Sequence, residues 1–103
     1  MKRVFICSPY RGDVEANRAL ALSLCRRATE QGCAPFAANL LYPLFLDDAV
    51  PEERARGIAC ALAFLERCDE VWIADVDVSE GMRAEIEAAR ERGIRARVVE
   101  SRR

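Results

Sequence analysis

The sequence of 103 residues contains no histidine. Without an imidazole the chain cannot form the Ser-His or Cys-His arrangements that activate a nucleophile, nor the zinc sites that depend on histidine. Its five cysteines include no C-x-x-C pair, and they lie in apolar stretches, as reduced cysteines of a cytoplasmic protein do. A metal site would need Asp75, Asp77 and Glu80 to converge, and their spacing is unspecific. We therefore expect neither a metal nor another cofactor.

Long apolar runs are also absent. None approaches the roughly 20 residues that a membrane-spanning helix needs. Only four apolar residues, 4–7, precede Ser8, which is too short a run for a signal peptide. With 16 basic and 17 acidic residues the net charge is −1, so no general attraction to a nucleic-acid polymer or an anionic membrane is expected. These features predict a cytoplasmic protein that binds neither.

What the sequence does contain is an alternation of strand-like and helix-like segments. Short apolar runs predict strands at 4–7, 33–37, 70–74 and 96–99. Apolar residues at helical spacing, with capping signals, predict helices at 14–31, 51–67 and 79–93. The second strand contains Pro35, which favours a sheet edge. Residues 39–50 are predicted to form a loop that is unusually apolar and therefore packs on something.

This alternation predicts an α/β fold with right-handed crossovers. We expect a single three-layer domain, 1–103, of the flavodoxin or Rossmann type, with a four-stranded parallel sheet in the order 2-1-3-4. Loops that leave the two central strands would diverge to opposite faces, and open α/β sheets bind ligands at such a point. The ligand site is therefore expected in segments 8–13 and 75–85.

The first of these segments has the groups of an anion site. Ser8 offers a hydroxyl, Arg11 a guanidinium fork, and Gly12 lets the backbone approach a ligand closely. The helix that follows supplies unpaired N–H groups, which suit an anion such as a 5′-phosphate. The alternative is an ordinary strand-to-helix turn, with Asp13 as the helix cap and Arg11 in solvent.

The second segment contains a residue that costs stability. Ser79 is placed to cap a helix, and Gly81 in its first turn costs about 1 kcal/mol relative to alanine. This favours close approach of a ligand phosphate or sugar to Gly81 and the adjacent Met82. Asp75 directly follows a strand, where catalytic side chains are common in α/β folds. In the apolar loop, Tyr42 is a candidate to stack on a base.

Glu85 is the most informative acidic residue. Its neighbours at helical spacing are small or apolar, namely Gly81, Met82, Ala88 and Ala89. Burial without a cationic partner would raise its pKa. A carboxylate held in such a cleft can act as a nucleophile or as a general acid or base. The alternative is that Glu85 points to solvent from the edge of its helix.

Three parts of the chain together resemble the nucleoside 2-deoxyribosyltransferase-like superfamily, and a small bacterial and phage branch of it in particular. They are segment 4–13 with the helix after it, Cys68-Asp69-Glu70-Val71-Trp72, and Ser79-x-Gly81-Met82-x-x-Glu85-x-x-x-Ala89. The resemblance covers residues 3–99 and implies cleavage of the N-glycosidic bond of a deoxyribonucleoside or its 5′-monophosphate. It also implies that Glu85 attacks the sugar C1′, with water or a second base completing the reaction. Sugar or phosphate oxygens would be held by four residues, Ser79, Gly81, Arg11 and Gly12.

Two positions depart from the pattern of the active members. Phe5 stands where they carry a tyrosine that orients the nucleophile, and Tyr10 is the candidate to replace it. Ala61 stands where they carry an aspartate. Loss of an acid/base group typically costs about 100- to 10,000-fold in rate. An N-glycosidase or 2-deoxyribosyltransferase is thus one hypothesis, and a nucleotide-binding or sensing module that uses the same cleft is the other.

A third hypothesis is a purely structural or interaction domain, and the apolar segment 40–46 is the main argument for it. The same segment could cover the cleft of a neighbouring subunit, as the resemblance implies. We therefore expect a homodimer or larger assembly, with a small-molecule nucleoside or nucleotide as ligand.

Overall fold

The computed structural model describes residues 1–100, in which strands and helices alternate as the apolar patterning predicts. The strands are β1 Arg3–Cys7, β2 Ala34–Phe36, β3 Glu70–Ala74 and β4 Arg95–Val99. The helices are α1 Val14–Glu30, α2 Ala38–Leu41, α3 Pro51–Leu65 and α4 Glu80–Glu91, and a 3-10 turn covers Tyr42–Leu44. The α/β fold class is therefore confirmed.

The four strands form one all-parallel sheet in the order β2-β1-β3-β4. This is the predicted order. In the registers, Phe5 of β1 lies opposite Phe36 of β2 on one side and Val71 of β3 on the other. Pro35 lies in β2 at the edge of the sheet, where its missing N–H costs no hydrogen bond on the open side.

Alternate side chains of the sheet bury into two apolar layers, because successive residues of a strand point to opposite faces. One layer joins Val4 and Ile6 of β1 to α1. The other joins Phe5 and Cys7 to α3 and α4. Since α1 covers one face and α4 the other, the chain leaves β1 and β3 in opposite directions. A crevice therefore opens at the carboxyl ends of these two central strands.

The helix boundaries follow from local chemistry. Asp13 caps α1, because its Oδ1 accepts a hydrogen bond from the backbone N–H of Ala16 at 3.1 Å. Gly32 follows α1 with a φ of 77°, a conformation that favours glycine as a helix stop. Pro51 occupies the first position of α3, where a missing N–H is tolerated.

The segment predicted as a loop at 39–50 is partly helical instead. It contains α2 and the 3-10 turn, and Tyr42 packs edge-on against Phe36 with ring centroids 6.3 Å apart. Apolar burial therefore orders a segment that shows no clear helical periodicity. Leu44 and Phe45 nevertheless remain 69% and 63% exposed. Across residues 1–100, no helix has both the length and the apolar character to cross a membrane.

Candidate functional site

A cleft with a volume of about 150 Å³ opens at the carboxyl ends of β1 and β3. Its walls come from the loop after β1, from α2 and the 3-10 turn, from α3 and from the beginning of α4. Eight of the ten residues that the sequence proposes for the site line it: Ser8, Tyr10, Arg11, Tyr42, Ser79, Gly81, Met82 and Glu85. The fold therefore brings both sequence segments to one cavity.

Gly12 and Asp75 are not among the lining residues. Gly12 is exposed and has a φ of 100°, so the turn before α1 by itself accounts for a glycine. Asp75 is exposed in the bend that follows β3. Neither residue contributes to the walls of the cleft.

Glu85 lies in the second turn of α4 and is partly buried. No ion pair of its carboxylate is found within residues 1–100. Burial raises the pKa of Glu85 to about 8, although a hydrogen bond with the Cys7 thiol lowers it. Desolvation prevails because the thiol is a weak donor and carries no charge.

Cys7 is the last residue of β1 and is fully buried on the α4 side of the sheet. Its Sγ lies 3.6 Å from the carbonyl oxygen of Met82. Burial raises the pKa of this thiol far above its ordinary value, and the nearby Glu85 raises it further. Cys7 is therefore a neutral hydrogen-bond donor and not a thiolate nucleophile.

The beginning of α4 forms one wall of the cleft. Ser79 caps the helix, because its Oγ accepts a hydrogen bond from the Met82 N–H at 3.2 Å. A Cβ atom built on Gly81 would meet no protein atom within 4 Å. Packing thus gives no reason for a glycine here, and residues 79–82 at the beginning of α4 line the cleft.

A cluster of charged side chains, Arg11, Asp48, Arg54 and Glu80, lies at the mouth of the cleft. The Arg11 Nε donates to Asp48 Oδ2 at 2.6 Å, and the Arg54 Nη1 lies 3.1 Å from Asp48 Oδ1. The Arg54 Nη2 also lies 3.9 Å from Glu80 Oε1, which is exposed. Asp48 therefore ties the loop after β1 to α3, and two guanidinium groups share its single charge.

Two asparagines fix the backbone of the loop after β1. The Asn39 amide of α2 donates to the Ser8 carbonyl at 2.7 Å. The Asn17 amide of α1 donates to the carbonyls of Tyr10 at 3.1 Å and Arg11 at 3.0 Å. The backbone of the loop is consequently tied to both α1 and α2.

The two positions that depart from the sequence pattern lie in different environments. Phe5 is fully buried in the apolar layer and does not line the cleft. Ala61 is buried on α3 and does line it, so the cavity wall carries a methyl group at that point. Burial raises the pKa of Tyr42, another lining residue, and its hydroxyl remains a donor at neutral pH.

Within residues 1–100 no group of three or more Cys, Asp or Glu side chains is placed to hold a metal ion. The Asp75, Asp77 and Glu80 carboxylates do not form such a group. All five cysteines are free thiols, and only Cys7 is buried. The polar groups that the cleft offers to a ligand are hydroxyls, carboxylates, guanidinium groups and backbone amides.

Sequence reasoning did not find four features of the site: Asn39, Arg54, the pairing of Asp48 with two arginines, and the role of Cys7 beside Glu85. Asn39 had a signal, since it is a single polar residue among apolar neighbours. Arg54 had none, because a basic residue in the first turns of an amphipathic helix is ordinarily a solvated side chain. The contact of Cys7 with Glu85 joins positions 78 residues apart in sequence, and no local pattern reports it.

Comparison with known proteins identifies a family and two proteins of similar structure. Residues 2–99 match a family described as domain of unknown function DUF7768. No curated protein matches the sequence. A solved 2-deoxyribosyltransferase from Bacillus psychrosaccharolyticus is similar in structure, with a TM-score of 0.74 and 14% identity over 95% of this chain and 72% of that one. The CMP N-glycosidase BcmB of Clostridium botulinum has a TM-score of 0.57 and 22% identity over 96% of this chain and 69% of that one.

At these identities the likeness establishes the fold. The chain has a nucleoside 2-deoxyribosyltransferase-like fold, as the sequence motifs predicted. The two matches cover 95% and 96% of this chain. What the cleft does must be argued from its own residues.

Proposed function

Since the chain belongs to the DUF7768 family and has this fold, we propose that it breaks the N-glycosidic bond of a nucleoside or nucleotide, with Glu85 as nucleophile. The sugar would pass either to water or to a second base. It would act either as a hydrolase or as a 2-deoxyribosyltransferase. The two similar structures support the reaction class, because one is a 2-deoxyribosyltransferase and the other is a CMP N-glycosidase. The proposal specifies the type of bond that is broken and does not specify the base.

The observation that carries the proposal is the environment of Glu85. This carboxylate lies in a cleft, has no cationic partner among residues 1–100, and has a pKa raised to about 8 by burial. Such a group costs folding free energy, and groups of this kind concentrate at functional sites. A desolvated carboxylate is also a strong nucleophile once it has lost its proton.

In the proposed reaction an ionised Glu85 oxygen attacks C1′ of the sugar. The bond between C1′ and the base nitrogen breaks, its electron pair leaves with the base, and the base takes a proton from solvent. Water then attacks C1′ of the glycosyl-enzyme and restores the carboxylate; in a transferase the nitrogen of a second base attacks instead. Tyr10, which lines the same cleft, is proposed to orient Glu85.

The rest of the cleft suits the other parts of such a ligand. Arg11 and the beginning of α4, with Ser79 and Gly81, would hold a 5′-phosphate or the 5′-hydroxyl. The ring of Tyr42 is the candidate platform for the base. Gly12 and Asp75 have no role in this mechanism, because neither lines the cleft.

Incubation with each nucleoside and its 5′-monophosphate, followed for release of free base, tests the proposal. We expect release that Glu85→Ala abolishes and that Glu87→Ala, on the exposed side of the same helix, leaves unchanged. Because the nucleophile must be ionised, kcat/KM should rise about tenfold per pH unit up to about 8 and then level off. Activity that falls above pH 8 would assign Glu85 as a general acid instead. No release from any substrate contradicts the proposal.

A second candidate function is a nucleotide-binding or sensing module that uses the same cleft. The specific observation in its favour is Ala61, which lines the cavity with a methyl group at a position where the sequence resemblance implies a carboxylate in active members. Calorimetry with nucleotides separates the two candidates. Binding without release of base supports the sensor, and release of base supports the enzyme.

The cleft also gives a reason to propose self-association. Its volume of about 150 Å³ is below the roughly 300–1,000 Å³ of typical ligand pockets. Leu44 and Phe45 beside it are largely exposed, and a second copy of the chain would cover them and complete the outer wall. Light scattering should show a homodimer or larger assembly. A monomer at tens of micromolar contradicts this proposal.

A further inference from the structure

Ser8 is a cleft residue whose buried hydroxyl has no hydrogen-bond partner among the described residues. It is 3% exposed and lines the cleft. Among the buried side-chain nitrogen and oxygen atoms of residues 1–100, its Oγ is the one without a hydrogen-bond partner. A buried hydroxyl without a partner is destabilising, and buried polar groups are nearly always paired. The contacts among residues 1–100 therefore do not explain why a hydroxyl is buried at position 8.

The backbone on both sides holds this hydroxyl in place. The Ser8 carbonyl accepts the Asn39 amide at 2.7 Å. The preceding residue, Cys7, is fixed by its contact with the Met82 carbonyl oxygen at 3.6 Å and by its hydrogen bond with Glu85. Consecutive Cα atoms lie about 3.8 Å apart, so Ser8 follows directly after the residue that touches the nucleophile. Ser8 and Glu85 both line the cleft, so a ligand that reaches Glu85 shares this cavity with the Ser8 side chain.

Building on the proposed function, we propose that the Ser8 hydroxyl binds the 2′-hydroxyl of the substrate sugar, so that ribosyl substrates are preferred to 2′-deoxyribosyl ones. Glu85 attacks C1′, and C2′ is the carbon bonded to it, so a 2′-hydroxyl lies close to the nucleophile. Glycosidases generally gain rate from hydrogen bonds to the hydroxyl next to the reacting carbon. A serine hydroxyl both donates and accepts, and so does a sugar hydroxyl.

The expected size of the effect follows from the chemistry of the missing partner. A site built to pair a substrate hydroxyl discriminates against the analogue that lacks it, because its own polar group is then left unpaired. For one neutral hydrogen bond we expect about a 10- to 100-fold preference for the ribosyl substrate. This differs from the deoxyribosyl substrate that the sequence resemblance implies.

The test compares two sugars, ribose and 2′-deoxyribose, in three proteins. Base release and ligand affinity are measured for ribonucleoside 5′-monophosphates of adenine, guanine, cytosine and uracil and for their 2′-deoxy counterparts. The proteins are the wild type, Ser8→Ala and Ser23→Ala. Ser23 is a matched control, because its Oγ donates to the Leu20 carbonyl at 2.8 Å on α1 and does not line the cleft.

We expect the wild type and Ser23→Ala to favour ribosyl substrates. Ser8→Ala should lose most of this preference, because its activity on ribosyl substrates falls while its activity on 2′-deoxyribosyl substrates is unchanged. Ser8→Ala should not lower the thermal unfolding midpoint; a lower midpoint would reveal a structural partner and overturn the proposal. So would equal losses on both sugars, or a wild-type preference for the deoxy form. Ribose-selective binding without base release supports the role of Ser8 and contradicts the enzymatic function. Equal affinities for both sugars contradict the role of Ser8 whatever the activity.

Discussion

Two glutamates at opposite ends of the sheet show how differently the same side chain can be accommodated. Glu70 begins β3 and is 4% exposed. Its carboxylate accepts the Trp72 Nε1–H at 2.9 Å and lies 3.5 Å from Lys2 Nζ and 3.6 Å from Arg97 Nε. The hydrogen bond from Trp72 and the nearby cations hold the pKa of Glu70 below its ordinary value despite burial.

Glu85 lies at the other end, beside the last residue of β1. Its described partner is the uncharged Cys7 thiol, and burial raises its pKa to about 8. The fold is thus capable of neutralising a buried carboxylate with cations, and does so at Glu70. Among residues 1–100 the fold gives Glu85 no cation, although its side chain lines the cleft. This contrast is why we propose a functional role for Glu85 and a structural one for Glu70.

The largest expected effect is on activity. Glu85→Gln, which keeps the shape and removes the charge, should lower base release by on the order of 1,000-fold or more. Glu70→Gln should change it by less than about threefold at temperatures where the variant is folded, since Glu70 lies at the amino-terminal end of β3 and does not line the cleft. Rates measured for both variants check the comparison. Comparable losses in the two would remove the distinction between the two glutamates.

The same pair of variants should move stability in opposite directions. Because the folded pKa of Glu85 exceeds the ordinary value of 4.5, its ionisation destabilises the fold progressively from about pH 4.5 to about 8. Glu85→Gln should therefore stabilise the protein by roughly 1–3 kcal/mol at pH 8.5 and by much less at pH 5. Urea denaturation at the two pH values measures this difference.

The contribution of Glu70 to folding stability changes with pH in the opposite direction. Its folded pKa lies below 4.5, so its stabilisation is present above that pH and is lost as the pH falls through the folded pKa. Glu70→Gln should cost roughly 1–3 kcal/mol at pH 7, because Lys2 and Arg97 lose their counter-charge. The two proteins should converge in acid. A Glu70→Gln variant as stable as the wild type at pH 7 would contradict this account.

A smaller effect is expected at Gly81. Nothing in the protein lies within 4 Å of a Cβ at this position, so Gly81→Ala should stabilise α4 by about 0.5–1 kcal/mol. The added methyl group would occupy the cleft wall and weaken nucleotide binding by about tenfold. Denaturation and calorimetry measure the two effects. A variant that binds as well as the wild type would show that no ligand approaches this backbone.

The smallest expected effect is at Cys7. The thiol hydrogen bond lowers the pKa of Glu85, so Cys7→Ala should shift the midpoint of the kcat/KM profile upward and Cys7→Ser, a stronger donor, should shift it downward. Each shift should be less than about one pH unit. Cys25→Ala on the opposite face of the sheet is the control. Identical midpoints in all of these proteins would exclude a Cys7 contribution.

The fold was predictable because its elements are specified locally. Local features of the sequence predict where single elements lie: the apolar run predicts β1, Asp13 predicts the start of α1, and Pro35 predicts an edge strand. The alternation of strands and helices then permits few topologies. Segment 39–50 was predicted as a loop because it has no clear helical periodicity, whereas in the structure Tyr42 packs against Phe36, which stacks on Phe64. Such packing joins distant positions, and no periodicity within the segment announces it.

The site was predictable in part for the same reason. Glu85 was conspicuous because helical spacing shows its missing partners within a single element. The Asp48 contacts with Arg11 and Arg54 join three segments, and the unpaired Ser8 hydroxyl is visible only when every neighbour is placed. Gly12 illustrates the converse, since a glycine attributed to ligand approach lies outside the cleft in a turn with positive φ.

Titration of the glutamate side chains by carbon-13 NMR tests the assignment of Glu85 without any substrate. The signal that Glu85→Gln removes should titrate with a midpoint near 8, while the signal that Glu70→Gln removes should titrate below 4.5 in the same sample. A midpoint for Glu85 at or below 4.5 would mean that its charge is already compensated, and would contradict its role as the desolvated nucleophile of this cleft.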